Sequence, residues 1–174
     1  MSNDRVALSK ILSHHTQQAP SRRALILDED VITYAELDAR TNRRARMLAA
    51  YGVEQGDFVT IALPNGLELY ETVFATWKLG AVPNIVAAKL ARPEMEAILE
   101  IVRPKLFIGV PPRAGVPVLG VGATPHGYSA EALPERISPH WKAMTSGASQ
   151  PRAWRSGRAW NSRPSMVSLL HRCT

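Results

Sequence analysis

The 174-residue sequence has one cysteine, Cys173, so neither a disulfide framework nor a cysteine metal cluster can form within one chain. A reducing, cytoplasmic setting is expected. No run of about 18 apolar residues occurs, which argues against a membrane span. The opening MSNDRVALSK has no basic segment leading into an apolar stretch, which argues against a secretory leader. Acidic residues are missing from residues 151–174, which hold five arginines (Arg152, Arg155, Arg158, Arg163, Arg172) and no lysine. All 15 acidic residues and 16 of the 21 basic ones lie in residues 1–150. Of the formal charge of +6, +5 therefore belongs to the final segment. A basic surface woven through the fold is excluded, and no specific nucleic-acid partner is expected.

What is there has the balance of a globular protein, with 45% apolar and 21% charged residues, enough for one domain with a sizeable core. The expected division is a folded portion over residues 1–150 and an unrelated basic tail over residues 151–174. Val6, Leu8, Ile11 and Leu12 make a helical stripe running to Gln18 before Pro20. His14 and His15 are adjacent, about 100° apart on a helix, and so are no metal pair; they are expected to be exposed. Ala24–Leu27 and Val31–Thr33, separated by Asp28-Glu29-Asp30, predict a small hairpin. Thr33 and Glu36 have capping-box spacing, and a helix is predicted from Tyr34 to about Tyr51 with Gly52 as its stop.

Phe58–Leu63 predicts a buried strand, and Pro64-Asn65-Gly66 breaks it. Leu69, Tyr70, Val73, Phe74 and Trp77 predict a helix ending at Gly80, with Glu68 and Glu71 on its wet face. Val82–Val86 is a short strand that Pro83 marks as an edge or a strand start. Pro93 opens a further helix with Met95, Ile98, Leu99 and Val102 on its apolar face, followed by a strand over Lys105–Val110. Strand and helix alternate, as in a parallel α/β sheet. Beyond Pro111 the texture is that of a loop, with a strand over Val116–Val121 and one helical turn over Ser129–Leu133 as its only candidates.

Three local patterns bear on chemistry. Gly120-Val121-Gly122 lacks the third glycine and the following helix of a dinucleotide fingerprint, and is read as a turn. Arg40, Arg43, Arg44 and Arg46 spread around one helix without interleaved aromatics and are expected to form a solvated face. Thr145-Ser146-Gly147-Ala148-Ser149 is different. Its small residues let backbone N–H groups and hydroxyls close around a polyphosphate, a character that is lost after Ser149.

Four strings taken in order resemble the acyl-adenylate-forming synthetases, the acyl-CoA synthetase and AMP-binding family. They are Ile32-Thr33-Tyr34-Ala35-Glu36-Leu37, Gly52-Val53-Glu54-Gln55-Gly56-Asp57-Phe58-Val59-Thr60-Ile61, Leu63-Pro64-Asn65-Gly66-Leu67-Glu68 and Trp77-Lys78-Leu79-Gly80-Ala81-Val82-Pro83. The similarity covers about residues 5–150 and is best between Ala24 and Val110. It implies part of the parallel-sheet subdomain of that family's N-terminal domain, with a small N-terminal hairpin and an irregular C-terminal tail. It also implies a ligase reaction of fatty or other carboxylic acids: acid and ATP give an acyl-adenylate and pyrophosphate, and CoA then displaces AMP. ATP, Mg2+ and CoA are the cofactors of the intact family, and a carboxylic acid is its substrate.

By the same resemblance Thr145, Ser146, Gly147 and Ser149 stand where the family's ATP phosphate loop begins. Gln150 or Pro151 stands where a glycine allows close backbone approach, and Arg152 stands near the lysine position. The family's adenine-holding segment, ribose-binding aspartate and acyl-activating lysine have no counterpart among these residues. No catalytic residue is therefore assigned, and the chain alone is expected to be an inactive, truncated ligase-like protein, with a bound nucleotide or none. An uncovered sheet face points to self-association. For residues 151–174 two expectations stand side by side: a segment read from another frame of a GC-rich gene, or an Arg/Trp-rich tail with Trp154 and Trp160 that binds nucleic acid or an anionic membrane.

Overall fold

A computed structural model describes residues 7–110, 115, 117–136 and 144–145. The expectations for Val6, Val116, Ser146–Ser149 and the tail lie outside these residues. The first helix, α1 (Ile11–Gln18), follows a 3-10 turn at Leu8–Lys10. The hairpin forms as expected from β1 (Arg23–Leu27) and β2 (Asp30–Thr33), paired antiparallel. Its inner side packs with Leu12 and Leu37 into a small core that also holds Ile32.

Helix α2 (Tyr34–Ala50) starts where the sequence places it. The Glu36 N–H donates to Thr33 Oγ1 at 3.3 Å, and the Thr33 N–H donates to Glu36 Oε2 at 2.8 Å. These bonds, the backbone one foremost, favour the ionised carboxyl and hold Glu36 below the ordinary carboxylate range. At its other end the Val53 N–H reaches Leu48 O at 3.2 Å and the Gly52 N–H reaches Ala49 O at 2.9 Å. This closure needs a left-handed residue after the cap, and Gly52 supplies it at φ +83°. Helix α3 (Leu67–Lys78) ends in the same bonding pattern at Gly80.

Among the described residues five strands form one sheet: β3 (Phe58–Ile61), β4 (Val82–Ile85), β5 (Leu106–Ile108), β6 (Val118–Leu119) and β7 (Met144–Thr145). Their order is β6-β5-β3-β4-β7, and every pairing is parallel. The α/β expectation holds, with strands shorter than the apolar runs suggested. Side chains alternate across the sheet as its pleat requires. Val59, Ile61, Leu106 and Ile108 face α2 and α3 in the main core, whereas Phe107 meets Met95 and Leu99 of α4 (Arg92–Val102) on the other face.

Pro83 sits in an inner strand. The β7 pairing reaches only Asn84 and Ile85, so the missing N–H of Pro83 costs no ladder bond to β7. Ser129–Leu133 forms no helical turn. The carbonyls of Ser129, Ala130 and Glu131 point to side chains of α2 instead. Among the described residues no helix is long and apolar enough to cross a membrane.

Candidate functional site

In open parallel sheets ligands gather at the carboxyl ends of the strands. Here β3 connects toward β4 while β5 connects toward β6, so the connections diverge between β3 and β5. That crevice is filled by backbone: a Cβ built on Gly109 would lie 2.6 Å from Ala62 O. The carboxyl end next to it is the β4/β7 edge, where Ile85 is paired with Thr145. Thr145 is thus the last described residue at this edge, and Ser146, Gly147 and Ser149 follow it in the sequence. Of the expected phosphate-loop residues the structure places Thr145 only; the other three lie outside the described residues.

A shallow hollow of about 340 Å³, lined by Ala49, Val53, Glu54, Gln55, Leu79 and Arg136, lies at the opposite end. Val53–Gln55 lead into the amino end of β3, so this hollow is remote from the Thr145 edge. Among the described residues no group of three or more His, Cys, Asp or Glu side chains is placed to hold a metal ion. His14 and His15 are half-buried rather than exposed. His15 stacks on Tyr34 at 4.9 Å, and the His14 ring nitrogen lies 3.1 Å from Gln18 Nε2.

Between α2 and α3 the structure departs most from the sequence reading. Arg44 is buried, not solvated, and Glu71 is buried with it: Nε of Arg44 donates to Glu71 Oε2 at 3.2 Å and Nη1 to Glu68 Oε1 at 3.3 Å. Lys78 is buried as well, and its Nζ donates to Asp38 Oδ1 at 2.5 Å and Asn42 Oδ1 at 2.7 Å. Burial disfavours the ammonium and pulls Lys78 below its ordinary value, while Asp38 opposes the shift. A signal for Arg44 was present. Leu37, Thr41, Arg44 and Leu48 recur at steps of four, three and four, so Arg44 stands on the apolar stripe itself.

These side chains also hold the loop between β6 and β7. The Gly122 N–H donates to both Glu68 carboxylate oxygens, at 3.1 and 3.0 Å, and Arg44 Nη2 donates to Ala123 O at 3.3 Å. Further on, Asn42 Nδ2 donates to Ala130 O at 2.9 Å, and Arg46 Nη1 donates to Ser129 O at 3.0 Å and Glu131 O at 2.8 Å. The Gly122 amide, which a dinucleotide fingerprint would turn toward a phosphate, is occupied by a carboxylate.

The chain matches a known family model, described as AMP-binding enzyme, over residues 12–158. The chain belongs to the AMP-binding enzyme family. Within it, pseudomonine synthase PmsE of Pseudomonas entomophila is 38% identical over 101 residues, covering 58% of this chain and 16% of that protein. The long-chain-fatty-acid–CoA ligase FadD13 of Mycobacterium tuberculosis is 34% identical over 112 residues, covering 61% of this chain and 22% of its own length. The chain thus spans about a fifth of these AMP-binding relatives. The NpsA N-terminal subdomain of Klebsiella oxytoca superposes with a TM-score of 0.66 at 26% identity, over 74% of this chain and 34% of that one. The fold is accordingly that of the N-terminal domain of adenylate-forming enzymes.

Proposed function

We propose that this chain supplies the framework wall of an ATP-dependent carboxylate-activating site, with the triphosphate lying against Thr145, Ser146, Gly147 and Ser149. The observation that carries the reading is the place of Thr145, at the carboxyl end of a parallel edge strand that opens into small, hydroxyl-bearing residues. Donors in such a turn suit phosphate oxygens, and Mg2+ would offset their charge. When bound, ATP supplies the adenylyl group that activates an acid for attack by CoA or a related acceptor.

The fit to ATP is partial. Pro151 has no N–H to offer, and the planar guanidinium of Arg152 does not reproduce a lysine ammonium. We infer weak nucleotide binding. The substrate class we propose is a carboxylic acid, in keeping with a fatty-acid–CoA ligase among the relatives. Turnover requires groups held on both sides of the reacting atoms, and the chain spans about a fifth of its relatives. We therefore infer that they run neither step alone, and we place the protein in the cytoplasm.

The test is pyrophosphate release by the purified chain with ATP, Mg2+ and a panel of fatty and cyclic acids. No release above background is expected. Release that disappears on Ser146→Ala would overturn the inference of inactivity.

A further inference from the structure

We propose that Asn42, Arg44, Arg46 and Glu68 are positioning residues that hold the segment Gly122–Glu131 as a strap across α2 and α3 and thereby seat β7 against β4. The functional meaning of this seat rests on the phosphate-loop reading above; the seat itself does not. The argument begins with topology. β6 and β7 are consecutive in sequence but lie on opposite edges of the sheet, so the connection must cross the whole layer. It crosses on the side of α2 and α3, and there it is gripped at two places.

The first grip pairs a donor with an acceptor on successive residues: the Gly122 N–H donates to Glu68, and the Ala123 carbonyl accepts a hydrogen bond from Arg44. The second takes three successive carbonyls, of Ser129, Ala130 and Glu131, with Arg46 and Asn42. Backbone groups are the targets throughout, so the grip fixes the path of the strap whatever its side chains are. Ala123, Tyr128 and Leu133 add apolar contact to the main core but no direction. Among the described residues β7 has two in its ladder, Met144 and Thr145, a pairing too short to find its register unaided. A strap held as far as Glu131 shortens the length of chain that must close before Met144 and raises the local concentration of β7 at the β4 edge.

Arg46→Ala tests this with little risk to folding, because Arg46 is only half-buried and bonds only backbone carbonyls of the strap. The second grip is then left to Asn42 on Ala130 O alone, and the logarithmic cost of loop closure, at its limit for a tether starting near Ala123, lowers the docking of β7 by up to about twofold. Hydrogen exchange by mass spectrometry reads it without nucleotide. Peptides covering residues 120–131 and 144–149 should exchange faster, the latter by up to about twofold, while residues 58–63 stay unchanged. Glu68→Gln, which keeps an acceptor for Gly122, should leave residues 144–149 closer to wild type than Glu68→Ala does. Faster exchange confined to residues 120–131 would overturn the proposal. So would an equal rise at residues 58–63, which marks a general loss of stability. If residues 144–149 loosen as expected while the affinity for ATP·Mg is unchanged, the seat stands and the phosphate-loop reading falls.

Discussion

Arg44→Met is the substitution on which the structural argument can be pressed hardest. The wild-type guanidinium is 4% exposed and donates to Glu71, Glu68, Thr72 and Ala123. Its loss leaves the Glu71 carboxylate, 7% exposed, with Arg40 at 3.4 Å, a side chain that is itself 48% exposed. Removing one partner of a buried pair costs about 3–5 kcal/mol, because the remaining charge stays desolvated. A domain of this size has roughly 5–15 kcal/mol in total. The variant is thus expected to lose a large fraction of its stability in urea denaturation followed by far-UV circular dichroism. Adding Glu71→Leu removes the stranded charge and fills the space, and replacing a whole buried pair by apolar residues is often neutral or favourable. The double variant should therefore be more stable than Arg44→Met alone, the reverse of additivity. A cost below about 1 kcal/mol for Arg44→Met, or a double variant less stable than the single one, would refute the reasoning.

Gly109 is held at φ +132° with no room for a Cβ beside Ala62 O. Gly109→Ala should cost about 2 kcal/mol and lower the melting temperature by roughly 4–8 °C; an unchanged melting curve would mean that the ends of β3 and β5 do not touch. Lys78 has a folded-state pKa below 10.5, so between that lowered value and 10.5 the unfolded chain carries more protons. Stability then rises with pH across this window on account of Lys78. Lys78→Met should lose that upward component between neutral pH and 10.5, and equal slopes for the two proteins would contradict the assignment.

Most of the fold was legible because its signals are local. The four strings that resemble the family sit at junctions: the capping box into α2, the left-handed closure after it, the break between β3 and α3, and the turn from α3 into β4. Each constrains backbone within a few residues, and each formed. The buried charges were not legible in the same way. Whether Arg44, Glu71 and Lys78 face water depends on which helix lies opposite, and neither helix alone supplies that information. Stripe spacing marked Arg44 as a candidate for burial, but charge ordinarily argues the other way. Ser129–Leu133 failed as a helical turn for a related reason: side chains more than 80 residues away take its carbonyls. At the candidate site, residue types raised the phosphate-loop reading, and of its four residues the fold placed Thr145 alone, at the carboxyl end of β7.

The central claim is that the Thr145 edge, and not another part of the surface, receives nucleotide phosphate. Hydrogen exchange with and without saturating ATP·Mg tests it on the full chain. The expected result is slowed exchange confined to peptides spanning Met144–Arg152, lost on Ser146→Ala. No protection there at millimolar nucleotide, or protection instead around Val53, Glu54 and Arg136 at the amino end of the sheet, would contradict it.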